Sequence, residues 1–244
     1  GKAEVLEALG TLQAGDHGTA ALKLQPDVAA DVLLGVVDEH VEAALEAGKP
    51  ESVVDEVGPL GLDPALPTAL VMFGGFGSAA MHTIVRRLDA SALRVQVIAV
   101  CGHNERLRSA LRAMPHRIPV HVTGFVPDVS RLMRCADFFI GKPGPGSISE
   151  ALAMGLPVIV ERNAWTMPQE RYNAEWVVEQ GVGIAVRGFR RDIVKAAATM
   201  VDPGVRRTFA ERVGEHRNRA VFEIPDIIEN VLASAAPPRG VRSP

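Results

Sequence analysis

From about Pro67 to Val186, short apolar runs alternate with segments whose apolar residues recur at helical spacing. The runs Ala69–Phe73, Arg94–Cys101, Val120–Thr123, Ala136–Ile140, Pro157–Val160 and Gly183–Val186 are short and largely apolar, as parallel strands buried on both faces tend to be. The segments between them, Ser78–Leu88, Asn104–Met114, Val129–Cys135, Ser147–Met154 and Gln169–Gln180, predict helices. Repeated βαβ units of this kind predict an α/β fold with a doubly wound parallel six-stranded sheet that binds ligands at the carboxyl ends of its strands. Gly155-Leu156-Pro157 reads as a helix stop followed by a strand start. Arg191–Met200, Pro203–Arg219 and Ile224–Ala235 read as helices packing back on the sheet. The last residues, 237–244, read as a disordered tail.

The first part of the chain differs. Gln25–Ala47 carries Val28, Val32, Leu33, Val36, Val37, Val41 and Ala44 at helical spacing, and no strand pattern precedes Ala69. Val57–Pro67, VGPLGLDPALP, reads as a connector. The expected organisation is a helical segment and linker over 1–66, a Rossmann-like domain over 67–236, and the tail.

With 244 residues the chain can bury a substantial core. At 47% hydrophobic and 23% charged its composition is that of an ordinary globular protein. A formal net charge of −3 argues against nucleic acid as a partner. The two cysteines, Cys101 and Cys135, fall in strand-like and helix-like runs and read as small buried residues of a reducing compartment. No apolar run approaches the ~20 residues of a membrane span, and no signal-peptide pattern is present. The expectation is a cytoplasmic protein, with attachment to a membrane surface left open.

Chemistry concentrates in two glycine-rich strand-to-helix turns. GKPGPGSISEALAMG, Gly141–Gly155, opens a helix with Ser147 and Ser149 expected in its first turn and Glu150 just behind. Free amides at such a helix start suit a phosphate, and a carboxylate one turn in suits the two hydroxyls of a ribose. FGGFGS, Phe73–Ser78, leads from the first strand into the first helix of the α/β region. Alone it is a weak signal, because many turns need glycines only for geometry. Two anion-ready helix starts in one sheet, however, can bracket a diphosphate.

These motifs, with VCGHNERL, VTGFVPDV, PQERYNAEWVVEQGVG and the late NRAVFEIPDII, resemble in type and order the monogalactosyldiacylglycerol synthase branch of inverting glycosyltransferases. That branch is related to the N-acetylglucosaminyltransferase that completes the peptidoglycan lipid precursor. The likeness covers about two-thirds of the chain, Leu60–Ile228, and implies the C-terminal, donor-binding half of a GT-B fold. It implies that Gly74, Gly75 and Ser78 lie beside the donor phosphates, and that Phe125 and Val126 hold the uracil. Gly146 and Ser147 would donate to the diphosphate, and Glu150 would accept from both ribose hydroxyls. Gln169 and Glu170 would contact the donor sugar, supported by Asn173.

Each residue also has a plainer reading. Glu150 suits a helix start, where the macrodipole favours an acid. Gln169-Glu170 suits a solvated helix start after Pro168, and Phe125 suits the core. His103 is either a phosphate contact or a helix-start residue without a ligand. Trp165 and Trp176 read first as packing residues. The run Arg106, Arg108, Arg112, His116 and Arg117 reads as a solvated helix face, with a patch for anionic lipid as the alternative.

The resemblance implies further an N-terminal acceptor-binding half carrying a histidine as general base. The residues before Ala69 are too few for it, and GDHGT, with His17, is its only echo. The chain is therefore expected to be a fragment, to work with an acceptor-binding partner subunit, or to lack transferase activity. The implied reaction transfers a hexose, galactose or glucose, from a UDP-sugar to a lipid acceptor such as diacylglycerol, with inversion. UDP-sugar is then a substrate and no cofactor is implied. No DxD-like pair lies at either glycine turn, so no obligatory metal is implied. The rival readings are a hydrolase or epimerase of UDP-sugars and a non-catalytic nucleotide-sugar-binding module.

Overall fold

The computed structural model describes residues 57–164, 166–216 and Ile228. His17, the helix expected over Gln25–Ala47, Trp165, the end of the helix begun at Pro203, all of the next helix but Ile228, and the tail lie outside the described residues. The elements below belong to one compact unit, residues 44–217.

Six parallel strands form one sheet in the order β3-β2-β1-β4-β5-β6. They are β1 (Thr68–Met72), β2 (Gln96–Val100), β3 (Val120–Thr123), β4 (Phe138–Gly141), β5 (Val158–Glu161) and β6 (Gly183–Val186). Each falls on an expected run, shifted by at most two residues at an end. The helices are α1 (Ala79–Asp89), α2 (Glu105–Ala113), α3 (Ser130–Arg134), α4 (Pro145–Ala153), α5 (Pro168–Glu179), α6 (Phe189–Val201) and α7 (Pro203–Glu215).

β1 and β2 are buried at all five positions. Their alternate residues feed two separate cores, which is why no polar face interrupts the runs. Ala69, Val71, Val97 and Ala99 pack on one side with α1, α2 and α6. Leu70, Met72, Ile98 and Val100 pack on the other with α4, α5 and Val213 of α7. Gln96 is an exception to the apolar rule, fully buried within β2. Its amide nitrogen donates to Asp63 O (2.7 Å), Leu66 O (3.2 Å) and Thr68 Oγ1 (2.8 Å), and its oxygen accepts from Asp63 N–H (2.8 Å). Every polar atom of that side chain is satisfied, so its burial costs little, and the connector before β1 is stitched to the sheet.

Cys101 and Cys135 are both buried, and neither is in a disulfide. Burial pushes the Cys101 thiol up to about 11, against the opposing pull of Arg108 and Arg112. A raised folded pKa means that the native state keeps this proton when the unfolded chain loses it. The associated stability is complete below about pH 9 and is lost as pH rises toward about 11. At pH 8 the native thiol is expected to resist iodoacetamide and to label only on unfolding. Rapid labelling of Cys101 in the native chain would contradict this burial.

Candidate functional site

The strand order reverses between β1 and β4, which pair in parallel with Met72 opposite Gly141. Just past their carboxyl ends lie the two glycine-rich turns, Phe73–Ser78 and Lys142–Gly144. In an open α/β sheet this switch point is where the crevice for a ligand forms.

On the β4 side, α4 begins at Pro145, with Gly144 as N-cap and no side-chain cap. The helix thus starts two residues earlier than the serines suggest, because proline at the first position is pre-organised for it. Ser149 is moved into the second turn. Pro145 has no N–H, and the first intrahelical bond runs from Ile148 N–H to Gly144 O (3.1 Å). The amides of Gly146 and Ser147 are therefore left without helical acceptors at the exposed start of the helix. Glu150 lies three and four residues further on, hence on the same helix face as both. As the sixth residue of α4 it sits beyond the first turn, where the macrodipole effect has faded, so the dipole alone gives a poor account of an acid there.

On the β1 side, Ser78 caps α1, its hydroxyl accepting from Ala80 N–H at 3.2 Å. The turn is fixed from the next strand. His103 N–H donates to Gly75 O at 2.7 Å, and Asn104 Nδ2 donates to Phe76 O at 3.1 Å. Two glycines make this approach possible. Gly102 has φ of +59°, and a Cβ there would come within 2.1 Å of Gly75 O. Gly77 has φ of +57°, and a Cβ would meet Cys101 O at 2.9 Å.

Phe125 is 58% exposed, so it is not a core residue. Its ring stacks on His103 with centroids 4.3 Å apart and planes 14° from parallel, and His103 in turn faces the ring of Phe76 at 5.9 Å. Val126 beside it is half-buried.

The start of α5 is tied to the β4 turn. Glu170, only 7% exposed, pairs with Lys142 (Nζ–Oε1 3.0 Å), and Asn173 Nδ2 donates to Pro143 O at 2.9 Å. Glu170 and Asn173 thus each hold the Lys142–Gly144 turn, at different residues. Lys142 escaped the sequence reading; the available signal was a lone cation between an apolar strand and a Pro-Gly turn. At the far side of β5, the carboxylate of Glu161 accepts from Phe189 N–H (3.0 Å) and caps α6, which begins before the expected Arg191.

Trp176 is a packing residue, with its ring edge toward His216 at 5.5 Å. The basic run is less free than a solvated face: Arg112 donates to Val122 O (2.9 Å) and Arg108 pairs with Glu105 (2.9 Å). No described helix is long and apolar enough to cross a membrane.

An all-parallel sheet in this order, with paired glycine turns at its switch point, is the doubly wound architecture of nucleotide-binding domains, which GT-B glycosyltransferase domains share. The chain belongs to the family described as the glycosyltransferase family 28 C-terminal domain, whose model matches residues 68–203. Chloroplastic monogalactosyldiacylglycerol synthase 1 of Arabidopsis thaliana is 39% identical over 132 residues, 51% of this chain and 24% of that protein. Chloroplastic monogalactosyldiacylglycerol synthase of Spinacia oleracea is 32% identical over 183 residues, 71% of this chain and 34% of its own length. The crystal structure of Acinetobacter baumannii MurG matches in fold with a TM-score of 0.59 at 17% identity, over 74% of this chain and 54% of that one. The chain spans about a quarter to a third of the length of the curated relatives it matches.

Proposed function

We propose that this chain is the donor-binding part of an inverting glycosyltransferase that moves a hexose, galactose or glucose, from UDP to a lipid acceptor, diacylglycerol being favoured by the names of its relatives. One observation carries the reading: two exposed glycine-rich helix starts flank the β1/β4 switch point, and Glu150 follows on the same face as the free amides of Gly146 and Ser147. The amides suit a diphosphate, and the carboxylate suits a pair of ribose hydroxyls. In direct displacement the sugar leaves UDP as the acceptor hydroxyl attacks the opposite face. The fixed amides of α4 and of the Gly74–Gly75 turn would then meet the negative charge growing on the departing diphosphate. Removal of the acceptor proton would fall to a base contributed by an acceptor-binding half.

Gln169 and Glu170 stand at the start of α5, beside the β4 turn. Glu170 accepts from Lys142 and as a carboxylate has lone pairs left for a sugar hydroxyl. Gln169→Ala and Glu170→Ala are each expected to weaken UDP-hexose binding while leaving UDP binding nearly intact, read by calorimetry. Equal losses for both ligands would mean that this turn only shapes the pocket. No loss for either would remove the pair from sugar recognition.

The full reading is tested by UDP-galactose and UDP-glucose binding, followed by product analysis with diacylglycerol and an acceptor half supplied from a relative. Binding with transfer to lipid is the expected result. Release of free hexose without lipid would indicate a hydrolase, and binding without turnover a non-catalytic module. Absence of binding would overturn the assignment altogether.

A further inference from the structure

We propose that His103 is a positioning residue for nucleotide recognition: its imidazole braces the Phe125 ring, and its main chain locks that ring's support to the phosphate turn. The inference rests on the reading of Phe125 as the nucleobase contact.

Phe125 follows β3 in a loop and is more than half exposed. An exposed aromatic ring on a loop is ordinarily free to change rotamer, and ordering it on binding costs affinity. Here the ring has a partner. His103 stacks on it nearly parallel at 4.3 Å, while Phe76, 77% exposed, lies tilted by 50° to the imidazole at 5.9 Å. Three rings from the turns after β1, β2 and β3 thus make one aromatic shelf along the carboxyl edge of the sheet.

His103 is suited to the middle of that shelf by its backbone. Its N–H donates to Gly75 O at 2.7 Å, and Gly102 before it brings the main chains to a separation that no side chain would permit. Asn104 immediately after it caps α2, its side-chain oxygen accepting from Leu107 N–H at 3.0 Å. The imidazole is therefore carried on a fixed support at the FGGFGS turn. A nucleoside diphosphate that places its phosphates at this turn and its base on Phe125 would touch both ends of a single braced unit. Inorganic pyrophosphate would touch only one end. The brace should favour the nucleotide and be indifferent to the bare anion.

The test uses the whole chain, with UDP and inorganic pyrophosphate as probes in calorimetry. His103→Ala keeps the backbone hydrogen bond and removes an exposed side chain, so the melting temperature should not move. UDP affinity is expected to fall about three- to tenfold, the scale of fixing one side chain. Pyrophosphate affinity should stay unchanged, and His103→Tyr, which keeps a flat ring, should recover most of the loss. In Phe125→Ala the further change His103→Ala should cost nothing, because the ring it braces is gone. Unchanged UDP affinity in His103→Ala, an equal loss for pyrophosphate, or fully additive losses in the double variant would each overturn the proposal while Phe125 kept its role. If Phe125→Ala itself leaves UDP affinity intact, the nucleobase assignment falls and this inference falls with it.

Discussion

Gly102→Ala is expected to abolish UDP binding and to destabilise the domain by about 2–5 kcal/mol, read by chemical denaturation and calorimetry. Two costs combine. Alanine is strained at a φ of +59°, and its Cβ would lie 2.1 Å from Gly75 O and 2.5 Å from Gly75 C. Both obstacles are main chain, so no rotamer change relieves them. The loops after β1 and β2 would have to separate, which breaks the His103 N–H to Gly75 O bond and moves the turn proposed to hold phosphate. Gly146→Ala is the contrasting case, since a Cβ there meets nothing within 4 Å. It should leave folding intact, and any lost affinity would reflect the ligand's close approach to α4. Native stability and unchanged UDP binding in Gly102→Ala would refute the packing of the two turns.

Glu150→Ala is expected to weaken UDP binding roughly ten- to a hundredfold, because a hydrogen bond to a charged group is worth about 1.5–3 kcal/mol. Its melting temperature should change far less. Glu150→Gln should fall between, since an amide can accept from one ribose hydroxyl but lacks the second strong acceptor. 2′-Deoxy-UDP offers an independent check: the wild type should bind it more weakly than UDP, and Glu150→Ala should scarcely distinguish the two. A lowered melting temperature with an unchanged dissociation constant would return Glu150 to a purely structural role.

Most of the sheet was legible in the sequence because its inner strands β1, β2 and β4 are buried along their whole length. ALVM in β1 and VIAV in β2 have no polar alternation that a helix or a surface strand would show. The glycine turns were legible for a related reason, since helix starts and backbone approaches leave local marks. The start of α4 was misplaced by two residues because Ser147 and Ser149 resemble capping residues, while Pro145 sets the first turn. Position Phe189 was missed as the start of α6 because its cap comes from Glu161, 28 residues away. The same limit hid the Lys142–Glu170 pair and the stack of His103 on Phe125. These depend on which strand ends become neighbours, and a strand order is not written in any one segment. Phe125 shows the limit most directly: a phenylalanine after a strand reads as core on composition, and its exposure follows from where the β3 loop leads.

The reversal between β1 and β4 has a consequence for how the domain assembles. β1 meets β2 through a short crossover, but its other edge is closed by residues about seventy positions away, and Asp137 accepts from Thr68 N–H across a separation of 69. Closing that seam carries the largest loop-closure entropy of any strand pair in the sheet. β1 and β4 are buried along their whole length whereas the edge strands β3 and β6 are partly exposed, so the seam opens only with the whole domain while the edges can fray locally. A ligand seated on both glycine turns would straddle this seam and hold it shut by mass action. Saturating UDP should therefore slow amide exchange in β1 and β4 more than in the edge strands β3 and β6, making the nucleotide a clasp for the fold.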